Sequence, residues 1–278
     1  MHRFSTPGPP RLTIELRAGD VSIDTQDGQE TTVDVQPRSR DAQALVEDTV
    51  VEQRGEDVVV IAPKRSHGLF ARTPELRITV TAPTGTRLNV RTDSADVAAR
   101  GSYGESRVTS GSGDLLVEHL TGSAQLRAGS GDVQVRSAQA DITVGTGSGD
   151  MRLGVLGGAA TLQTGSGDIE VESAAAALKV QTGSGDIRVR RADADVKAQT
   201  ASGDVSIGRV QGGRVKAQAA SGDLHVGVAD GTPAWLDVKT LTGGVSNDLQ
   251  STDPVGAGEQ HVRLELNTVS GDIEIVRA

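Results

Sequence analysis

The chain has 278 residues, 35 of them glycine, with two Phe, one Tyr, one Trp, no Cys and a formal net charge of -9. So glycine-rich and aromatic-poor a composition excludes an ordinary core of large side chains, and the absence of cysteine excludes disulfides, thiolate metal sites and a cysteine nucleophile. Mild acidity argues against a nucleic-acid binder, and the regular recurrence of Val and Ile argues against disorder.

Residues 1–10 (MHRFSTPGPP) hold three prolines and no apolar run, so a mobile tail is expected. A secretory leader needs an apolar core of about ten residues, and a membrane helix about 20. Neither pattern occurs, which points to a cytoplasmic chain without membrane insertion, extracellular only if a leader is missing. Residues 11–85 read as an N-terminal β cap. Leu12–Leu16 alternates, Ala18-Gly19-Asp20-Val21-Ser22-Ile23 is an outlying copy of a motif met later, and residues 32–35, 58–61 and 76–80 are further predicted strands. Residues 40–53 fit a short helix or a strand, and residues 64–73 read as a loop.

From residue 86 to 278 the sequence repeats. A Ser-Gly-Asp-apolar motif or its near-equivalent places Asp96, Asp114, Asp132, Asp150, Asp168, Asp186 and Asp204 at intervals of 18 residues, followed by Asp223 after 19. Gly244 takes the Asp position 21 residues on and Asp272 follows after a further 28, giving ten repeats. Positions four, six and eight before the Asp carry inward Thr or apolar residues, as in Leu178, Val180 and Thr182. Positions one and three after it are apolar, as in Ile187 and Val189, while Lys179, Gln181 and Arg188 alternate with them. A period of two marks strands with one buried face. The alternation breaks at Gly-Asp, where glycine supplies backbone freedom and Asp can hydrogen-bond nearby N–H groups.

The fold expected is all-β, a parallel β-solenoid with coils of about 18 residues. Such a coil is a path of roughly 60 Å, suited to about three short faces, and ten coils stack to roughly 48 Å. The competing arrangement is a pleated antiparallel array; identical columns of residues favour in-register stacking. A narrow interior accounts for the small inward side chains.

The Asp column admits two readings. Hard cations want several oxygen ligands at once, yet each coil supplies one carboxylate, so a structural turn-capping ladder outweighs a cation site. The five histidines, His2, His67, His119, His225 and His261, are scattered and build no recognisable triad. Gly-Ser-Gly stretches precede strands, not helices, so no phosphate loop is formed. No catalytic residue, metal or cofactor is expected. Residues 247–261 read as an excursion loop, and Trp235, just before it, as a plug over the late coils. Little sequence follows Asp272 to cover the last edge, and open edges invite pairing with another chain. A homo-oligomer or polymer through the C-terminal edge is therefore expected, beside a protein partner the sequence does not specify.

The chain resembles a family of bacterial β-strand-repeat proteins of unknown function, catalogued as putative adhesins. The resemblance rests on Arg17-Ala18-Gly19-Asp20-Val21, the iterated Thr-x-Ser-Gly-Asp-(Ile/Val) units, Gly231-Thr232-Pro233-Ala234-Trp235-Leu236-Asp237-Val238, and Thr268-Val269-Ser270-Gly271-Asp272-Ile273. It implies a right-handed β-helix-like fold and no established enzyme activity. The function expected is a non-enzymatic structural or interaction module. The alternatives are an exported surface adhesin and, last, a solenoid enzyme acting on a polymer.

Overall fold

The computed structural model describes residues 1–63, 73–249 and 261–278. Two compact units divide the chain, Met1–Ala140 and Asp141–Ala278. The architecture is a parallel β-solenoid, as the repeat period requires. Each regular coil holds two strands, and the second breaks its alternation, as where Arg190 and Arg191 both face outward. In one coil, Leu178–Ser184 and Ile187–Ala192 meet at the Gly185-Asp186 corner, and residues 193–195 close the coil as a short link. Leu178, Val180, Ile187, Val189 and Ala192 point inward and are buried. A third strand has no room because two strands and the corner already use most of the 18 residues.

In the first unit the outlying motif copy forms a full coil. Strand Arg11–Gln26 pairs parallel with Arg87–Tyr103, in register from Arg11 with Arg87 to Asp24 with Arg100, so Asp20 stacks beside Asp96. Its other edge pairs parallel with Asp57–Ile61 and Leu76–Pro83. No domain boundary therefore falls near residue 85: backbone ladders bind the two sides along nearly the whole strand. Coils Ser106–Ser110 with Leu115–Leu120, then Ala124–Ala128 with Val133–Ala138, follow in parallel register.

The cap proper is antiparallel. Val50–Arg54 pairs with Asp57–Ile61, Glu30–Pro37 pairs with Leu76–Pro83, and His2–Ser5 pairs with Glu30–Pro37. The expected mobile tail thus contains a strand, because the backbone groups of Glu30–Thr31-Thr32-Val33 offer it a ladder. Residues 40–53 contain both elements weighed from sequence: a turn of 3-10 helix at Arg40–Ala42, a short helix Gln43–Glu47, and strand Val50–Arg54. The loop expected at 64–73 lies, except for Thr73, outside the described residues. Among the described residues Tyr103 is the one large aromatic side chain fully buried; its hydroxyl donates toward the carbonyls of Ile23 (2.7 Å) and Arg100 (2.8 Å). Burial first, then the nearby Asp24 and Glu118 carboxylates, raises its pKa.

In the second unit five coils stack in sequence order, from Ile142–Leu156 to Gly213–Val228. The order then changes. Strands Val262–Ser270 and Ile273–Arg277 lie against Gly213–Ser221 and Leu224–Val228. Ala234–Thr242 and Val245–Asn247 lie outside them, pairing with Val262–Ser270 and Ile273–Arg277. The last repeat in sequence is therefore interposed, and the Gly244 repeat is outermost. The interposed coil brings the fuller apolar set: Val262, Leu264, Leu266, Ile273 and Ile275 are all buried. Most of the excursion expected at 247–261 lies outside the described residues, since these omit 250–260; Asn247 itself ends a strand.

Candidate functional site: corner ladder and outer faces

The repeat aspartates form a backbone-capping ladder at the coil corner. In the first unit, Asp114 N–H donates to Asp96 Oδ1 (3.0 Å) and Asp132 N–H to Asp114 Oδ1 (2.9 Å). In the second, the N–H groups of Asp168, Asp186, Asp204, Asp223 and Asp272 donate to Oδ1 of Asp150, Asp168, Asp186, Asp204 and Asp223, at 2.7–3.0 Å. Each corner carbonyl accepts in the reverse direction, as Asp204 does from Ile187 N–H (2.8 Å). A carboxylate accepting a backbone N–H makes a charge-assisted bond. The ladder also explains the coil order. Gly244 N–H donates to Asp272 Oδ1 (2.7 Å), but Gly244 has no carboxylate to offer, so its coil can only terminate the ladder.

Two neighbouring columns fit the corner together. The hydroxyls of Thr164, Thr182 and Thr200 donate to the carbonyls of Gly149, Gly167 and Gly185 at 3.2–3.3 Å, and Thr268 does so to Gly222 at 3.1 Å. Gly185 and Gly203 have φ of 147° and 139°, where a side chain is strained, and a Cβ on either would strike the preceding corner's carbonyl oxygen. Among the described residues no group of three or more His, Asp and Glu side chains is gathered as a metal cluster. The Oδ2 atoms turn to cations instead: Asp150 to Arg152 (3.2 Å) and Asp186 to Arg188 (2.6 Å).

Trp235 does not plug the coils. It stands 48% exposed on the outward face, with the Arg263 guanidinium 4.1 Å from its ring centre. Its cross-strand partner is Arg263, and Leu236 and Val238 take the inward places opposite Leu264 and Leu266. Of the histidines, His119 Nδ1 lies 2.8 Å from Ser137 Oγ as a cross-coil neighbour. Among the described residues no carboxylate bonds its other ring nitrogen, so the pair lacks the orienting group a nucleophilic site needs. His225 pairs with Glu274 (2.9 Å).

Two outer faces of the second unit differ in charge. On one, a depression of about 640 Å³ is lined by Arg152, Glu170, Glu172, Arg188 and Arg190, whose charges pair across coils, as in Arg190–Glu172 (2.8 Å). On the other, register aligns Lys179, Lys197 and Lys216 in a column, beside Gln163, Gln181, Gln199 and Gln218 in the next outward column. The glutamine amides donate serially along the column at 2.8–2.9 Å. The lysines have no carboxylate within salt-bridge distance among the described residues. At a coil spacing of ~4.8 Å, two such charges repel by about 0.9 kcal/mol in water. Sequence reading noted these residues only as the polar half of the alternation.

The terminal coil completes the candidate surfaces. Leu241 is 79% exposed and Val245 51%. Among the described residues no strand pairs with the outer edge of Ala234–Thr242 or Val245–Asn247.

Stacked two-strand coils joined at capped corners define a parallel β-solenoid repeat protein. The chain belongs to the Toastrack DUF4097 family, whose model matches residues 10–159 and again 140–276, which bears out the resemblance read from the repeats. No curated protein matches it significantly. Similar solved structures include a putative adhesin from Bacteroides fragilis, at 13% identity and TM-score 0.42, covering 100% of this chain and 95% of that one. A putative cell adhesion protein from Clostridium sporogenes is similar at 9% identity and TM-score 0.27, covering 100% and 98%. A putative adhesin from Parabacteroides distasonis is similar at 13% identity and TM-score 0.32, covering 98% and 95%. None of these likenesses carries a function across. No described helix is long and apolar enough to cross a membrane.

Proposed function

We propose that the protein is a non-enzymatic interaction module, a solenoid scaffold that self-associates through its Gly244 coil. The observation that supports this is the state of that coil. Its inward Leu236 and Val238 are only half-buried, Leu241 and Val245 are exposed, and both of its strands have an outer edge unpaired among the described residues. An open parallel strand edge beside exposed apolar side chains is a template for another chain. In the first unit the corresponding outer strands are covered by antiparallel partners. A binding role suits the outer faces, where charges are arranged in columns and the His119–Ser137 contact lacks a third group among the described residues.

Sedimentation over a range of protein concentrations tests the reading. The weight-average mass rises with concentration for the native chain, and the double variant Leu241→Lys/Val245→Lys stays at monomer mass. A native chain that remains monomeric at the highest concentration overturns it. The cytoplasmic placement is part of the same proposal, and cell fractionation decides it: recovery at the cell surface supports an exported adhesin in its place.

A further inference from the structure

We infer that the lysine–glutamine face of the second unit binds a linear acidic polysaccharide, laid across the strands along the direction in which the coils stack. This site is separate from the Gly244 edge and stands whether or not the chain self-associates.

Four observations carry the assignment. First, the face contains a shallow trough of about 380 Å³ lined by Lys179, Lys197, Lys216 and Arg214, with Asp195 as the single carboxylate in the lining. Asp195 Oδ1 is already occupied by the Arg214 backbone N–H at 2.8 Å. Arg214 is turned toward Glu265 at 3.5 Å, so the three lysines supply the available charge. Second, this concentration of cations stands on a chain of net charge -9. A cationic column without carboxylate partners among the described residues has the sign that attracts an anion.

Third, the spacing is fixed by the backbone. In-register coils root successive lysine side chains one strand spacing apart, ~4.8 Å, close to the length of one sugar ring in an extended polymer. A polymer with one carboxylate per ring can therefore meet one lysine per coil. Fourth, the neighbouring column is an array of amides. Each Gln Nε2 in the chain from Gln163 to Gln199 gives one hydrogen to the next Oε1. An amide nitrogen has two hydrogens and an amide oxygen two lone pairs, so every rung keeps a donor and an acceptor for sugar hydroxyls. Serial bonding also holds the amides in one orientation, which lowers the ordering cost of binding. The site is bounded: Thr161 continues the lysine column on one side, and Glu265, held by Arg214 and Arg263, on the other.

The test is retardation of the full chain in native gels containing sodium alginate, with dextran and double-stranded DNA as comparison polymers. The expected result is retardation by alginate, none by dextran, weaker retardation by DNA, and relief by added salt. The variant Lys179→Ala/Lys197→Ala/Lys216→Ala loses about tenfold in apparent affinity, as three exposed ion pairs imply, and so does the corresponding Lys→Gln variant, while both keep the native melting temperature. Arg190→Ala, on the opposite face, keeps full affinity. Absence of retardation by alginate, retardation unchanged in both lysine variants, or equal retardation by DNA overturns the proposal.

Discussion

A corner residue in this protein must satisfy two coils at once. Asp186 donates its N–H to Asp168 Oδ1 at 2.8 Å, accepts from Asp204 N–H at 2.9 Å through its own Oδ1, and holds Arg188 through Oδ2. Only a short side chain with an sp² oxygen reaches the next coil's amide from that position, which is why Asp recurs. Removing the acceptor leaves the Asp204 N–H without its partner, at a cost of roughly 1–2 kcal/mol. Urea unfolding should therefore show Asp186→Ala less stable by that amount and Asp186→Asn, which keeps an oxygen in place, by less than about half of it. Equal losses for the two variants would show that charge, not the acceptor, matters. The aspartates, the glycine before every one of them except Asp96 and the inward threonines were all legible in the sequence, since an 18-residue period exposes them directly. The partner of each group was not, because a hydrogen bond between residues 18 apart needs the register to be known.

At the scale of the coil, alternation told which side chains face inward but not how coils are ordered. The sequence presents the Gly244 repeat before the Asp272 repeat, and nothing local reveals that the latter is inserted beneath the former. Two physical facts decide it: the Asp272 coil has more apolar surface to bury, and a corner without a carboxylate can only end the ladder. Trp235 was misplaced although the alternation itself sets it outward: Leu236 and Val238 take the inward places, and Trp235 continues the outward column of Arg214 and Arg263. The antiparallel pairing of the cap was equally hidden, because strands 2–5 and 50–54 are short, bury no residue fully and carry no inward–outward alternation. The order predicts a contrast in stability. Leu264 is fully buried in the interposed coil, whereas Leu241 in the outer coil is 79% exposed. Leu264→Ala should cost about 3 kcal/mol and Leu241→Ala under about 0.5 kcal/mol by denaturant titration.

For the whole molecule, small inward residues are compatible with a stable fold because each coil repeats the same contacts on the next, as repeat proteins do. The composition that hints at disorder thus serves corners and a narrow interior. The proposed functions follow from how the coils end and what they display. The Gly244 coil leaves an edge available to a second copy, and the lysine and glutamine columns exist only because equivalent residues are held in register. The edge depends on the coil order in the second unit, and that order is open to direct measurement. The native chain has no cysteine, so paired cysteines report neighbours cleanly. Gln218 is opposite Asn267, and Asn267 is opposite Lys239; Cα atoms ~4.8 Å apart lie within disulfide reach. Under mild oxidation the variant Gln218→Cys/Asn267→Cys should cross-link within the chain and Gln218→Cys/Lys239→Cys should not; the reverse outcome, cross-linking of residues 218 and 239 alone, would contradict the interposed coil and the open edge built on it.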